Sequence, residues 1–144
     1  MINIQNKYQP KDYWENRLQR SMNLEGVGCL GRGVQYNSYL YRAKVRAFER
    51  GLRQIRISSL KQKSILDLGS GTGFWIRYFL NNKADTCVGV DISQAAVAHL
   101  TDTLGSENAT FVCSDISKLK LPNIIGEKFD LITAIDVFYH ITSD

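Results

Sequence analysis

The stretch Ser64-Ile65-Leu66-Asp67-Leu68-Gly69-Ser70-Gly71-Thr72-Gly73, followed at once by Phe74-Trp75-Ile76, governs how the rest of the chain is read. A short apolar run, glycines at alternate positions and then an apolar helical pattern describe a buried strand turning sharply into a helix. Without a Cβ, glycine takes positive φ and lets a ligand lie against the backbone. At the carboxyl end of a buried strand, such a turn is a binding turn.

Downstream of it, the pattern alternates. Strands are expected at 64–68, 86–90, 110–113 and 129–135, with helices at 72–81 and 94–104. Ser93 is the candidate N-cap of the second helix and Gly105 its stop. A polar connection through Lys118, Lys120 and Pro122 separates the last two strands. Strands alternating with helices form right-handed βαβ units and a parallel sheet buried on both faces. The fold class is α/β, a doubly wound parallel sheet.

Upstream, Asp12 and Glu15 have the spacing of a capping box, and Trp14, Leu18 and Met22 recur at helical intervals, so a first helix is expected over 12–22. The four glycines Gly26, Gly28, Gly31 and Gly33 read as a flexible loop. Tyr41, Val45, Phe48, Leu52 and Ile55 then mark one face of a long helix over 37–57. Residues 1–61 form an N-terminal helical segment, a lid or cap, and 62–144 a partial binding domain.

The length of 144 residues, with 44% hydrophobic and 22% charged residues, fits a single globular unit. No apolar run approaches the roughly 18 to 20 residues of a membrane span, and the polar start does not resemble an export leader. Cys29, Cys87 and Cys113 lack the paired spacing of a zinc site or redox motif, so no metal is expected. Unpaired thiols fit a reducing compartment, the cytoplasm. The net charge of +4 conceals an asymmetry: +8 through Lys61 and −4 after it. A basic arm can meet nucleic acid, but these arginines sit singly between apolar residues, which favours a solvated helix face over a nucleic-acid partner.

Each strand delivers an aspartate at or near its carboxyl end: Asp67, Asp91, Asp115 and Asp136. In a parallel sheet those ends share one edge, where open α/β folds bind ligands, so four carboxylates converge on one crevice. Such a rim repels a pyrophosphate and suits hydroxyls, amines or cationic centres. The glycine spacing agrees, since Gly69, Gly71 and Gly73 give G-x-G-x-G, whereas the dinucleotide fingerprint needs a glycine where Phe74 stands.

These residues, in the order Ile65 to Gly73, Val90-Asp91-Ile92-Ser93, Ser114-Asp115-Ile116 and Phe129 to Asp136 through His140-Ile141, resemble the class I S-adenosylmethionine-dependent methyltransferases. The resemblance implies a Rossmann-like sheet with strand order 3-2-1-4, incomplete against the family's seven strands, so that the chain resembles a fragment truncated after strand four. It implies S-adenosylmethionine as cofactor, with Gly69, Ser70 and Gly71 under its methionine part and Asp67 accepting from its ammonium. It also implies that Asp91 accepts from the ribose, Ile92 packs on the adenine, Asp115 and the Ile116 backbone bind the adenine edge, and Asp136 lies by the transferred methyl.

The implied activity is methyl transfer to a small-molecule acceptor. A cofactor-binding module without transfer is the second possibility, and a nucleotide-dependent oxidoreductase is disfavoured by the glycine spacing. His140 is the candidate base should the acceptor lose a proton, or else a loop histidine with a structural bond. The aromatic-rich start forms either a lid, with Tyr13 and Arg17 reaching the cofactor, or core. An open edge at strand four invites self-association through that edge or an exchanged element.

Overall fold

A computed structural model describes residues 8–118 and 128–141. Lys120 and Pro122 of the expected polar connection lie outside these residues, as does Asp144. The elements are α1 (Pro10–Arg20), α2 (Gly33–Gln54), β1 (Ser64–Leu68), α3 (Phe74–Asn81), β2 (Thr86–Asp91), α4 (Gln94–Leu104), β3 (Ala109–Cys113) and β4 (Leu131–Thr133). Short 3₁₀ turns at Ile116–Lys118 and Phe138–His140 follow β3 and β4. All four strands are parallel in the order β3-β2-β1-β4, as the resemblance implies. With strand order and direction fixed this way, every strand ends on one edge.

The main core joins Ile65 and Cys87 of the sheet to Trp75, Ile76 and Phe79 of α3 and Leu52 of α2. Val45 and Phe48 pack against it from the same helix face. Leu66, Val88 and Val90, of opposite pleat, form a second cluster with Ile116 and Phe129. The branched residues of β1 and β2 thus fill both faces of the sheet centre, which explains their unbroken apolar run.

Four expectations need correction. Strand β4 pairs with β1 only from Leu131 to Thr133, not over 129–135. Before it, the Asp130 carboxylate turns to the start of β1 and accepts from the Ser64 N–H (2.9 Å) and the Lys63 ammonium (3.1 Å). After it, Asp136 takes a left-handed φ of 61°, which breaks the extended chain. Helix α1 has no capping box, because Pro10 begins it behind Gln9 and Glu15 is bonded elsewhere.

Helix α2 begins at Gly33 rather than at 37 and closes before Arg56, whose φ of 61° is left-handed. Ile55 consequently lies past the helix and is exposed. The glycine loop between the helices is an ordered turn. Asn37, fully buried, accepts from the Cys29 N–H at 2.7 Å and donates to the carbonyls of Cys29 (3.0 Å) and Gly33 (2.8 Å). The Glu25 carboxylate accepts from Gly31 N–H (2.8 Å) and Gly33 N–H (3.2 Å). A Cβ on Gly28 would stand 2.1 Å from Asn37 Oδ1, so the turn closes only around glycine.

Candidate functional site

A cavity of about 570 Å³ opens at the carboxyl ends of the strands. Its floor is the turn after β1, where Gly69, Gly71 and Gly73 carry φ of 78°, 51° and 77°. A Cβ on Gly69 would lie 2.4 Å from Val137 Cγ2, so both conformation and space demand glycine there. The turn is pinned to β2: the N–H groups of Gly69 and Ser70 donate to the Val90 carbonyl at 2.7 and 3.1 Å.

Asp91 is buried at the end of β2 and holds the same turn. Its Oδ2 accepts from Gly71 N–H at 2.7 Å and its Oδ1 from Ser93 N–H at 2.9 Å. Burial raises its pKa, against the pull of those backbone donors. Each oxygen keeps a second acceptor direction, and Asp91 and Ile92 both line the cavity. Asp115 lies further along the rim. Its Oδ1 accepts from the Ser117 hydroxyl (2.7 Å) and N–H (2.9 Å), and chiefly that hydroxyl lowers its pKa.

Asp67 sits one layer below, 1% exposed and not part of the cavity wall. Its Oδ1 accepts from the Thr133 hydroxyl at 2.7 Å, while Oδ2 has no partner among the described residues. Burial pushes its carboxyl up to about 7, the nearby Asp91 charge adds to this, and the Thr133 bond opposes it. The hydroxyl of Ser70 in the turn above is likewise buried and unpaired. Two orphaned polar groups at one turn mark a place built for a polar ligand.

The far wall is the segment after β4. Asp136 forms an ion pair with Lys44 of α2, whose ammonium also lies 4.4 Å over the Tyr41 ring. His140 lines the cavity with the Trp14 ring edge-on at 4.8 Å and the Tyr8 hydroxyl 3.4 Å from Nδ1. Burial, then the charge of Arg17, lowers its pKa, with Asp136 opposing.

Gly69, Ser70, Gly71, Asp91, Ile92, Asp115, Ile116, Asp136 and His140 are thus brought together around one cavity. Tyr13 and Arg17 are not. The Arg17 guanidinium donates to the Tyr13 hydroxyl (2.7 Å) and the Gly28 carbonyl (2.6 Å) and lies 4.9 Å over Trp14, behind the wall. Their neighbours form the roof instead: Pro10, Trp14 and Leu18 of α1, Val27 of the loop and Tyr41 of α2. Helical spacing puts Trp14 and Leu18 on one face, but whether that face meets core or cavity has no signature in periodicity.

The parallel sheet in this order, ending in an acid-ringed cleft over a glycine turn, defines the Rossmann-like methyltransferase fold. A family model for the methyltransferase domain matches residues 65–144, and the chain belongs to that family. No curated protein matches the chain in sequence. The chain is similar in structure to a magnesium protoporphyrin IX methyltransferase from Synechocystis PCC 6803, solved with bound S-adenosylmethionine. The two are 19% identical with a TM-score of 0.66, over 96% of this chain and 67% of that one. It is also similar to an S-adenosylmethionine-dependent methyltransferase from Mesorhizobium loti, 27% identical with a TM-score of 0.50, over 59% of this chain. The matched region spans 37% of the length of the Mesorhizobium loti protein.

Proposed function

We propose that the protein is an S-adenosylmethionine-dependent methyltransferase acting on a small-molecule acceptor. The observation that carries this is the pairing of Asp91, which holds the glycine turn and still borders the cavity, with the unsatisfied Asp67 Oδ2 and Ser70 Oγ beside it. An acidic rim with spare acceptors fits a nucleoside bearing an ammonium and a sulfonium, and repels a pyrophosphate.

When bound, adenosylmethionine supplies a methyl group already activated for displacement. The chain's own residues bind and align. Asp91 accepts from the ribose hydroxyls, Ile92 packs on the adenine, and Asp115 with the Ile116 backbone binds the adenine edge. The turn from Gly69 to Gly71 would lie beneath the methionine part, with the buried Asp67 below it as a further acceptor for the ammonium. Asp136 borders the methyl, and His140, which lines the cavity, takes the proton of an acceptor that must lose one. A roof of aromatic and aliphatic side chains excludes water, and a cavity of about 570 Å³ is of the size that encloses small molecules.

Calorimetric titration with adenosylmethionine against NAD tests the cofactor, and binding of NAD alone overturns the proposal. Replacing Asp91 by Ala is expected to weaken adenosylmethionine binding by about 2 to 3 kcal/mol, the loss of a charged acceptor that also orders the turn. A second reading, a binding module without transfer, is supported by the engagement of the Asp136 carboxylate by Lys44. Cofactor binding with no radiolabelled methyl transfer to a broad set of small acceptors would favour it.

The short β4 edge, with Ile132 52% exposed, supports self-association, and a monodisperse monomer in sedimentation at micromolar concentration would exclude it. Three free cysteines, Cys29, Cys87 and Cys113, support a cytoplasmic location, which fractionation of the native cells tests. Among the described residues, no helix is long and apolar enough to cross a membrane.

A further inference from the structure

Glu15 joins its own helix to the start of another: its Oε1 accepts from the Gln19 side chain of α1 at 2.9 Å while the carboxylate also caps α4. One face of α1 carries Trp14 and Leu18 to the cavity, while the adjacent Glu15 reaches the start of α4, 78 residues away in sequence. Its Oε2 accepts from the Ser93 hydroxyl at 2.8 Å, and both oxygens lie 3.2 Å from the Ala95 N–H. A helix start leaves its first N–H groups unpaired and carries partial positive charge. Ser93 covers only one of them, the Ala96 N–H, at 3.1 Å. Glu15 therefore supplies the missing acceptor and the complementary charge.

Ser93 is also the residue whose N–H donates to Asp91 Oδ1 at 2.9 Å. One residue thus joins the attachment of α1 to the carboxylate at the ribose end of the cavity. The carboxyl-terminal half of α1 has separate anchors, the buried Leu18 and the Arg17 bond to the Gly28 carbonyl. Among the described residues the amino-terminal half has a lighter anchor: Trp14 is half-buried and edge-on to His140 at 4.8 Å, and Pro10 and Lys11 border the cavity.

We propose that Glu15 is a positioning residue, the catch that holds the amino-terminal half of α1 closed over the ribose end of the site. In this arrangement residues 10–15 swing on the Arg17 and Leu18 anchors, the Glu15 bonds to Ser93 and Ala95 hold them shut, and the bound nucleoside leaves when those bonds open. The inference rests on the cofactor assignment above for its ligand, but not for its moving part.

The test uses the full chain, with hydrogen exchange and stopped-flow dissociation of adenosylmethionine. In Glu15→Ala, residues 10–15 are expected to exchange faster while β1 and β2 keep their wild-type protection. Adenosylmethionine is expected to dissociate about tenfold faster, equivalent to about 1.4 kcal/mol. Glu15→Gln, whose amide oxygen still accepts from both donors, should recover most of the protection. Unchanged exchange over 10–15 overturns the proposal, and so does a loss of protection spread evenly through the sheet, which would mark an ordinary stabilising contact. If Glu15→Ala does not fold, Ser93→Ala removes the hydroxyl donor and is judged by the same two outcomes. If the wild-type chain binds no adenosylmethionine, the cofactor assignment fails, while the exchange comparison still decides whether Glu15 is a catch.

Discussion

The floor and the roof of the cavity are built by different rules. In the floor, from β1 through Asp115, the turn's own N–H groups donate to the Val90 carbonyl of the neighbouring strand, and Asp91 accepts from N–H groups of the turn and of its own loop. In the roof, from Pro10 to Lys44, positions are set by side chains reaching across the fold. Arg17 holds Gly28, Asn37 holds Cys29, Glu15 holds α4, and Lys44 holds Asp136 across 92 residues. A floor of this kind is a shared scaffold for a ligand. A roof of this kind can be rebuilt one side chain at a time, which is where acceptor choice is expected to be made.

The floor's exposed weakness is Asp67. Its folded pKa of about 7 stands above the ordinary 3.8, so the folded chain holds this proton more tightly than the unfolded chain does. Stability is then greatest below pH 4 as far as this group is concerned, and falls as pH rises from about 4 to 7. Linkage over that window amounts to about 4 kcal/mol. Urea unfolding of wild type and Asp67→Asn between pH 4 and 8 checks this: wild type should lose stability relative to the variant across the window. Parallel curves would mean that Asp67 titrates normally, and that the floor is as unstrained as its backbone bonds imply.

The next largest effect belongs to the roof. Asn37→Leu leaves the Cys29 N–H and two carbonyls without their partner, at a cost of about 3 kcal/mol. If floor and roof are separate in energy, cofactor affinity should fall less than tenfold, because Asn37 touches no floor residue through a hydrogen bond. A complete loss of binding would break the division. The smallest effect is expected at Lys44, whose pair with Asp136 is 22% and 37% exposed. Lys44→Met should change stability by less than about 1 kcal/mol in thermal melts. A loss above 2 kcal/mol would make this ion pair, rather than Asn37 and Arg17, the main tie of the roof.

The same division explains what could be read from sequence. Strand β1 and helix α4 match their expected bounds because branched runs, an N-cap serine and a terminal glycine are signals contained within the element. Asp91, Asp115 and Asp136 were legible because strand ends in a parallel sheet need no tertiary knowledge to be placed on one edge, whereas Asp67, inside β1, is buried beneath the cavity rather than on its rim. Glu15 was misassigned because a capping box and a cap for another helix have the same local spacing. Asn37 carried no signal at all, since a polar residue at a helix start reads as solvated until the loop it ties is folded over it. Strand β4 was overextended because apolar content cannot register where Asp130 and Asp136 turn the chain away from its neighbour.

The reach of the Glu15 and Lys44 bonds also bears on the order of assembly. Closing 78 and 92 residues costs loop entropy that is recovered only after the sheet has brought β2 and β4 beside β1. The strands and α3 can gather through nearer contacts, whereas the roof has nothing to dock on until they have done so. Competence to hold a nucleoside is thus expected to be the last property the chain acquires. In refolding from urea, adenosylmethionine-dependent fluorescence should appear after the far-ultraviolet circular dichroism signal, and simultaneous appearance would show that roof and sheet condense as one.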